Sequence, residues 1–413
     1  ADLEAIGGDM FAYVCGVVGI ATTMFGCVAG SGSSASGAIG AIGGTGSIGS
    51  GVVGGVSSGG SGGSGFYMAV AASGTGNVMT SPDGITWTAR AVAENNQWLD
   101  IIFGGGVIVA VANSGTHRIM TTADGLTWTA ITAPENNDWR SLAYGNGIFV
   151  AVSQDGTNRV MTSPDGITWT ARAAAENNQW LDVVFGNGIF VAVAQTGTNR
   201  VMTSPDGITW TARAAAESNS WFAVTYGNGL FAAVAIDGTN RVMTSPDGIT
   251  WTARSAAAAN LWIDIAYGNG VFVATSSTGT NRVMTSPDGI TWTARAAAEN
   301  NQWNLTFANG QFVAVAATGT NRVMTSPDGI TWTLRSAAEN NEWQSVQYCP
   351  SGGGGNGAGG FGIAGSSAVL GSAGDANGFF QGKGGSINES GQNYGGGAGA
   401  DGTGADGLIL LVY

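Results

Sequence analysis

Basic residues are scarce in this 413-residue chain: 14 Lys and Arg stand against 27 Asp and Glu, a net charge of -13. That balance argues against a nucleic-acid ligand, because phosphate neutralisation needs a basic surface. It also argues against electrostatic docking to an anionic membrane. Cysteine is nearly absent. Cys15, Cys27 and Cys349 are too few for a disulfide framework, and the sequence leaves both a Cys15–Cys27 bridge and the redox compartment open. Histidine occurs once, at His117, and one histidine cannot build a metal site. No basic n-region precedes the apolar stretch near the start, so a retained secretory signal is not expected. The sequence has no phosphate loop, no Ser-His-Asp arrangement and no redox cysteine pair.

What is abundant is glycine, with 71 residues, and repetition. The pattern W-x-x-x-x-F/Y-G-N-G-x-F-V-A-V-x-x-x-G-T-N-R-V-M-T-S-P-D-G-I-T-W-T-A-R recurs about every 41 residues, a period typical of propeller arrays. All 14 tryptophans fall into two periodic sets, one from Trp87 to Trp332 and one from Trp98 to Trp343. Three zones follow. Residues 1–65 begin apolar and become Gly/Ser-rich, residues 66–349 hold the repeats, and residues 350–413 are glycine-rich and end in an apolar run.

Within a repeat the pattern is all-β. In one copy the expected strands are Trp180–Phe185, Ile189–Ala194, Arg200–Ser204 and Ile208–Arg213. Gly186-Asn-Gly188, Thr196-Gly-Thr-Asn199 and Pro205-Asp-Gly207 supply the turns. Four short antiparallel strands make one blade of a β-propeller. The ends of the array indicate how the ring closes. The first copy starts at Phe66 without its W-x-x-x-x-F strand, and the last unit supplies only that strand, Trp343–Tyr348. Strand exchange between the two ends therefore closes seven blades and removes free edges. It also brings Gly65 and Pro350 together, so both flanks can form one glycine-rich base or stalk with the propeller inserted as a head.

The segment Ser163-Pro-Asp-Gly-Ile-Thr-Trp169 resembles the Asp box of sialidase-like and related BNR-type propellers, with one residue fewer between Asp165 and Gly166. The match recurs in every copy, at Asp83, Asp124, Asp165, Asp206, Asp247, Asp288 and Asp328. The resemblance implies a structural turn in which the aspartate caps backbone amides and the tryptophan packs between blades. It implies fold, not activity. The end of the chain, Gly404-Ala-Asp-Gly-Leu-Ile-Leu-Leu-Val-Tyr413, resembles the glycine-rich tip or base regions of bacteriophage tail-fibre proteins.

Glycoside hydrolysis of the sialidase type would need differentiated carboxylates and an arginine cluster drawn from different blades. Near-identical blades do not offer that asymmetry, so no enzyme is expected. Arginine recurs at two fixed places, as Arg159, Arg200 and Arg241 before the third strand and Arg172, Arg213 and Arg254 after the fourth. These are candidate anion pockets if Glu217 and its equivalents leave them free. Otherwise they form surface ion pairs of little energetic worth. One carboxylate per Asp turn is too few for calcium, so neither metal nor cofactor is expected.

Variation between copies gathers in two places. One is the turn between strands two and three, as at Gln154-Asp155, Gln195-Thr196 and Ile236-Asp237. The other is the strand after the second tryptophan, as at Leu181-Asp182, Phe222-Ala223, Ile263-Asp264 and Asn304-Leu305. The second-to-third turns and the blade-to-blade loops share one face. His117, Asp155, Asn158, Gln195, Asn199, Asp237, Asn240, Asn281 and Asn321 are the candidate ligand residues there. Such groups suit sugars or a protein partner, and drift at loop tips explains them equally.

Residues 10–29 form an uncharged run of bilayer-spanning length. Burial in an assembly is the first expectation for it, and a spanning helix the second. Together these features point to a non-enzymatic structural or attachment protein of a virion or fibre. Its propeller head would bind a glycan or protein receptor, with copies of itself or other particle proteins as partners, at a virion surface or outside the cell. A cell-surface adhesin or filament subunit anchored by residues 10–29 is the alternative, and a sialidase-like hydrolase the third reading.

Overall fold

The computed structural model describes residues 65–350. The two flanks, with the stalk assigned to them, the apolar run and the Cys15–Cys27 pair, lie outside the described residues. Among the described residues there is no helix. Seven four-stranded antiparallel sheets follow one another as the blades of a propeller.

Blade 4 shows the plan. Its inner strand is Trp180–Gly186, followed by Ile189–Ala194, Val201–Ser204 and an outer strand Thr211–Arg213. The outer strand is shorter than expected. Ile208 to Trp210 stay in the turn, because Asp206 accepts the backbone N–H groups of Ile208 and Thr209 at 2.8 Å each. The inner hairpin turns through Asn187 and Gly188, both at positive φ (48° and 79°). Two such central residues give the twist that a two-residue hairpin needs, which explains Asn-Gly at this point.

The ring closes as the ends of the array imply. Phe66–Ala71 pairs antiparallel with Trp343–Cys349, with Tyr67 opposite Tyr348 and Ala69 opposite Val346. A Cβ on Gly65 would lie 2.7 Å from the Cys349 carbonyl, so the two ends of the array touch. Asn341 Nδ2 donates to the Gly76 carbonyl at 2.6 Å and adds a side-chain tie across the same seam.

The core is not central but lies in seven layers between neighbouring blades. One layer joins Val184, Val191 and Val193 of blade 4 to Trp221, Val224 and Phe231 of blade 5. The tryptophans that open the inner strands, from Trp98 to Trp343, are fully buried. Each buried side chain of Val to Phe size contributes roughly 1.5–3 kcal/mol over exposure. The repeat therefore conserves two half-interfaces, one for each neighbour, and the strand-two run is apolar without alternation because it is covered on both faces.

A candidate ligand site at the mouth of the central channel

The inner strands carry an irregularity that the repeat pattern conceals. In blade 4, Trp180 pairs with Ala194 and Asp182 with Val193, so Leu181 is an extra residue with no partner. Leu99, Arg140, Phe222, Ile263 and Gln344 are skipped in the same way. Such β-bulges re-aim a side chain out of the sheet. Here they line one cavity of about 240 Å³ with a residue from every blade. Blade 7 differs. Its inner strand Trp303–Ala308 is one residue shorter and pairs without interruption, and Asn304 takes the seventh place. Gln302, Ser277 and Ala317 also line the cavity, so it opens on the face of the blade-to-blade loops and second-to-third turns.

The lining is sided. Leu181, Phe222 and Ile263 come from three consecutive blades and form an apolar arc. Asn304 and Gln344, from blades 7 and 1, form an amide arc with Gln302. Arg140 stands between Leu99 and Leu181 as the cationic member of the lining. Desolvation lowers its pKa and the charge of Asp138 opposes that, but a guanidinium keeps its proton in proteins.

Next along the inner strands come buried carboxylates in alternate blades: Asp100, Asp182 and Asp264. Each ties its blade to the next through a backbone N–H. Leu142 N donates to Asp100 at 2.8 Å, Val224 N to Asp182 at 2.7 Å and Leu305 N to Asp264 at 2.7 Å. Ser141 and Ser345 donate to Asp182 and Asp100 from the preceding blades. Desolvation pushes the Asp182 carboxyl well above the usual carboxylate range, opposed by Ser141 and the Val224 N–H and reinforced by Asp100 and Asp264. These carboxylates hold the ring together. Among the described residues no three His, Cys, Asp or Glu side chains are placed to hold a metal ion.

The loop asparagines meet glutamates. Asn199 Nδ2 donates to Glu176 at 2.6 Å, and Asn158, Asn240 and Asn321 meet Glu135, Glu217 and Glu299 likewise. Glu217 is thereby engaged by Asn240 and Asn219 rather than by the arginines. His117 takes the place of an asparagine and its Nδ1 meets Glu94. Asp155 and Asp237 accept the N–H groups of Asp138 and Ser220 at 2.6 Å, and the Gln195 N–H donates to the Gln179 carbonyl. Asn281 is the exception and is exposed, because Ala258 stands where the other six blades have glutamate.

The recurring arginines are engaged within the fold, one set by backbone carbonyls and the other by threonine hydroxyls. Arg159, Arg200 and Arg241 each donate to their own turn and to a carbonyl before the next blade, at Asn178, Ser218 and Asn260. Arg172, Arg213 and Arg254 donate from Nε to Thr162, Thr203 and Thr244 at 3.1 Å. Arg213 lies opposite Val201, next to Arg200 along the chain. The turn aspartates accept backbone amides in all seven blades, as Asp165 does from Ile167 and Thr168. In the Asp206 turn of blade 4, Gly207 docks on Val150 of the preceding blade, whose side chain lies 2.6 Å from where a Cβ would stand.

The cavity was not legible in the sequence, because the bulges that form it are not. Leu181, Phe222, Ile263 and Asn304 were visible as variable positions. Arg140 was detectable as an arginine outside both recurring places.

The family described as the DUF6242 beta propeller domain matches residues 100–222, from the inner strand of blade 2 to that of blade 5. No curated protein sequence matches the chain. Among solved structures the chain is similar to the computationally designed Ika8 protein, at 15% identity and a TM-score of 0.46, covering 70% of this chain and 97% of that one. It is similar to YCF48 from Cyanidioschyzon merolae, at 16% identity and a TM-score of 0.44, covering 57% and 84%. It is also similar to YCF48 bound to D1 peptide, at 18% identity and a TM-score of 0.47, covering 58% and 84%.

Proposed function

We propose that the chain is a non-enzymatic recognition module that holds a receptor against the channel-mouth face of its propeller. One observation carries this reading. On inner strands that otherwise follow one pattern, six bulges and one unbulged strand aim seven side chains of varied chemistry into a common cavity. A concave site with sided polar and apolar walls suits binding. The repeated loops around it are tied by their own hydrogen bonds, so the face is pre-organised and loses little entropy on binding. The likeness of the C-terminal flank to tail-fibre ends supports placing this head on a virion or fibre, outside the cell.

The test is binding of the purified chain to arrays of neutral and acidic glycans and of synthetic peptides. Retention of one ligand class is expected, with loss on replacing cavity residues. Silence on both arrays overturns the recognition role. Turnover of a fluorogenic sialoside overturns its non-enzymatic part. Absence of the protein from purified particles overturns the virion assignment.

A further inference from the structure

Arg140 gives the cavity its direction. Its side chain is partly buried, comes from the bulge of blade 3, and donates no hydrogen bond to any acceptor among the described residues. The periodic arginines behave differently, since each is satisfied by carbonyl or hydroxyl oxygens. The nearby carboxylates do not pair with it. Asp182 is engaged by Ser141 and by the Val183 and Val224 N–H groups, and Asp100 by Ser345 and the Leu142 N–H. Asp138 attracts Arg140 but directs one carboxylate oxygen to Gln154. A half-desolvated guanidinium with spare donors is a receptor for a carboxylate, which it can grip in a bidentate fashion.

The other walls say what the carboxylate is attached to. An aliphatic and aromatic arc of Leu181, Phe222 and Ile263 offers burial for an apolar side chain, not the hydrogen bonds that a sugar's hydroxyls require. Across from it, Asn304, Gln344 and Gln302 carry both a donor and an acceptor, which matches the N–H and C=O of a peptide backbone. The volume of about 240 Å³ lies below the roughly 300–1,000 Å³ of sites for drug-sized ligands. It suits the tip of a peptide chain rather than a long insert.

We propose that the channel mouth anchors a carboxylate-bearing peptide segment, with the carboxylate on Arg140, an adjoining apolar side chain on Leu181, Phe222 and Ile263, and the backbone on the amide arc. This rests on the recognition reading above and names its ligand class. The carboxylate can be the α-carboxylate of a chain end or that of an Asp or Glu side chain.

The probe is an array of synthetic heptapeptides rich in Leu and Phe. Each is made as the free acid and as the C-terminal amide, with and without an internal Asp or Glu. A glycan array is run in parallel. Peptides carrying a carboxylate next to an apolar residue are expected to bind, and the free-acid and internal-acid arms show which carboxylate is used. Arg140→Gln is expected to weaken binding about ten- to a hundredfold, the range for a lost charge-assisted contact. Arg213→Gln, on an outer strand, is expected to leave it unchanged. Binding by the unaltered chain is expected to weaken with added salt, which tests the charge without any substitution. Peptide binding that ignores the carboxylate, binding unmoved by Arg140→Gln, or binding confined to glycans overturns this assignment and leaves the recognition role standing. Silence on both arrays overturns the two together.

Discussion

The hydroxyl of Ser345 donates to Asp100 Oδ1 at 2.7 Å, joining the strand that closes the ring to the first strand of blade 2. Both residues are buried, at 0% and 1% exposure, so neither can exchange its partner for water. The other Asp100 oxygen accepts the Leu142 N–H of blade 3. One carboxylate thus spans three blades at the seam. Ser345→Ala is expected to cost about 1.5–3 kcal/mol, the range for a hydrogen bond to a charged group. Asp100→Ala should cost more, because it orphans a hydroxyl and an amide together. Urea unfolding of both single variants and the double variant checks this. A double variant as unstable as the sum of the singles would mean that the two residues do not act as a pair.

Acid should attack the outer turns first. Backbone N–H groups hold Asp165 below its ordinary pKa, with the Thr168 amide the largest cause, and the other six turn aspartates are lowered in the same way. A folded-state pKa below the unfolded value gives stability that is present above the unfolded pKa of about 3.9 and lost as pH falls through the folded one. Asp182 runs the other way. Its raised pKa means that its contribution is greatest below the unfolded value and declines as pH rises from there. Glu94, Glu135, Glu176 and Glu217 are lowered as well, and these groups outnumber the raised Asp182 and Asp138, so the melting temperature should drop as pH falls below about 4. Asp165→Asn should lower it at pH 7 and make its acid loss smaller. Parallel pH profiles for the two proteins would contradict this account.

Blade 6 lacks a clamp that its neighbours have. In blade 4, Glu176 accepts from the side chains of Asn178 and Asn199 and from the Asn199 N–H. In blade 6 the corresponding glutamate is Ala258, and Asn281 is left exposed. The backbone is nonetheless in place, since Trp262 Nε1 donates to the Ala258 carbonyl at 3.0 Å and Asn260 Nδ2 to the Asn281 carbonyl at 2.7 Å. Ala258→Glu should therefore stabilise the protein by about 1 kcal/mol, the net worth of a typical hydrogen bond. A urea midpoint unchanged from the parent would show that the clamp is not what the glutamate supplies.

The ring was legible in the sequence because its determinants repeat. Trp98 to Trp343 mark each inner strand, and the missing first strand before Phe66 is matched by the surplus one at Trp343–Cys349. The bulges were not legible, because a bulge is a mismatch between two strands and shows in neither strand alone. The one-residue deficit between Trp303 and Trp343 was the trace it left, readable only once the other inner strands are seen to carry an extra residue. The Glu–Asn clamp escaped for a similar reason. Glu176 and Asn199 lie far apart along the chain and meet only when the inner strand and the following turn share a face.

Two glycines in the same blade separate backbone strain from steric contact. Gly188 has φ 79° with nothing within 4 Å of where a Cβ would stand. Gly197 has φ 97°, and a Cβ there would fall 1.8 Å from Asn178 Oδ1. Gly188→Ala should cost about 1–2 kcal/mol, the strain of a left-handed residue with a side chain. Gly197→Ala bears a comparable strain and must also push Asn178 aside. That side chain donates to the Asn199 carbonyl at 2.6 Å and to Glu176 at 3.2 Å. The second cost should bring the total to about 3 kcal/mol or more. Pairing Gly197→Ala with Asn178→Ala removes the obstruction, and the double variant should then lose less than the sum of the singles, as read from urea midpoints. Equal losses for Gly188→Ala and Gly197→Ala would mean that backbone conformation, and not the asparagine wedge, requires glycine at the turn.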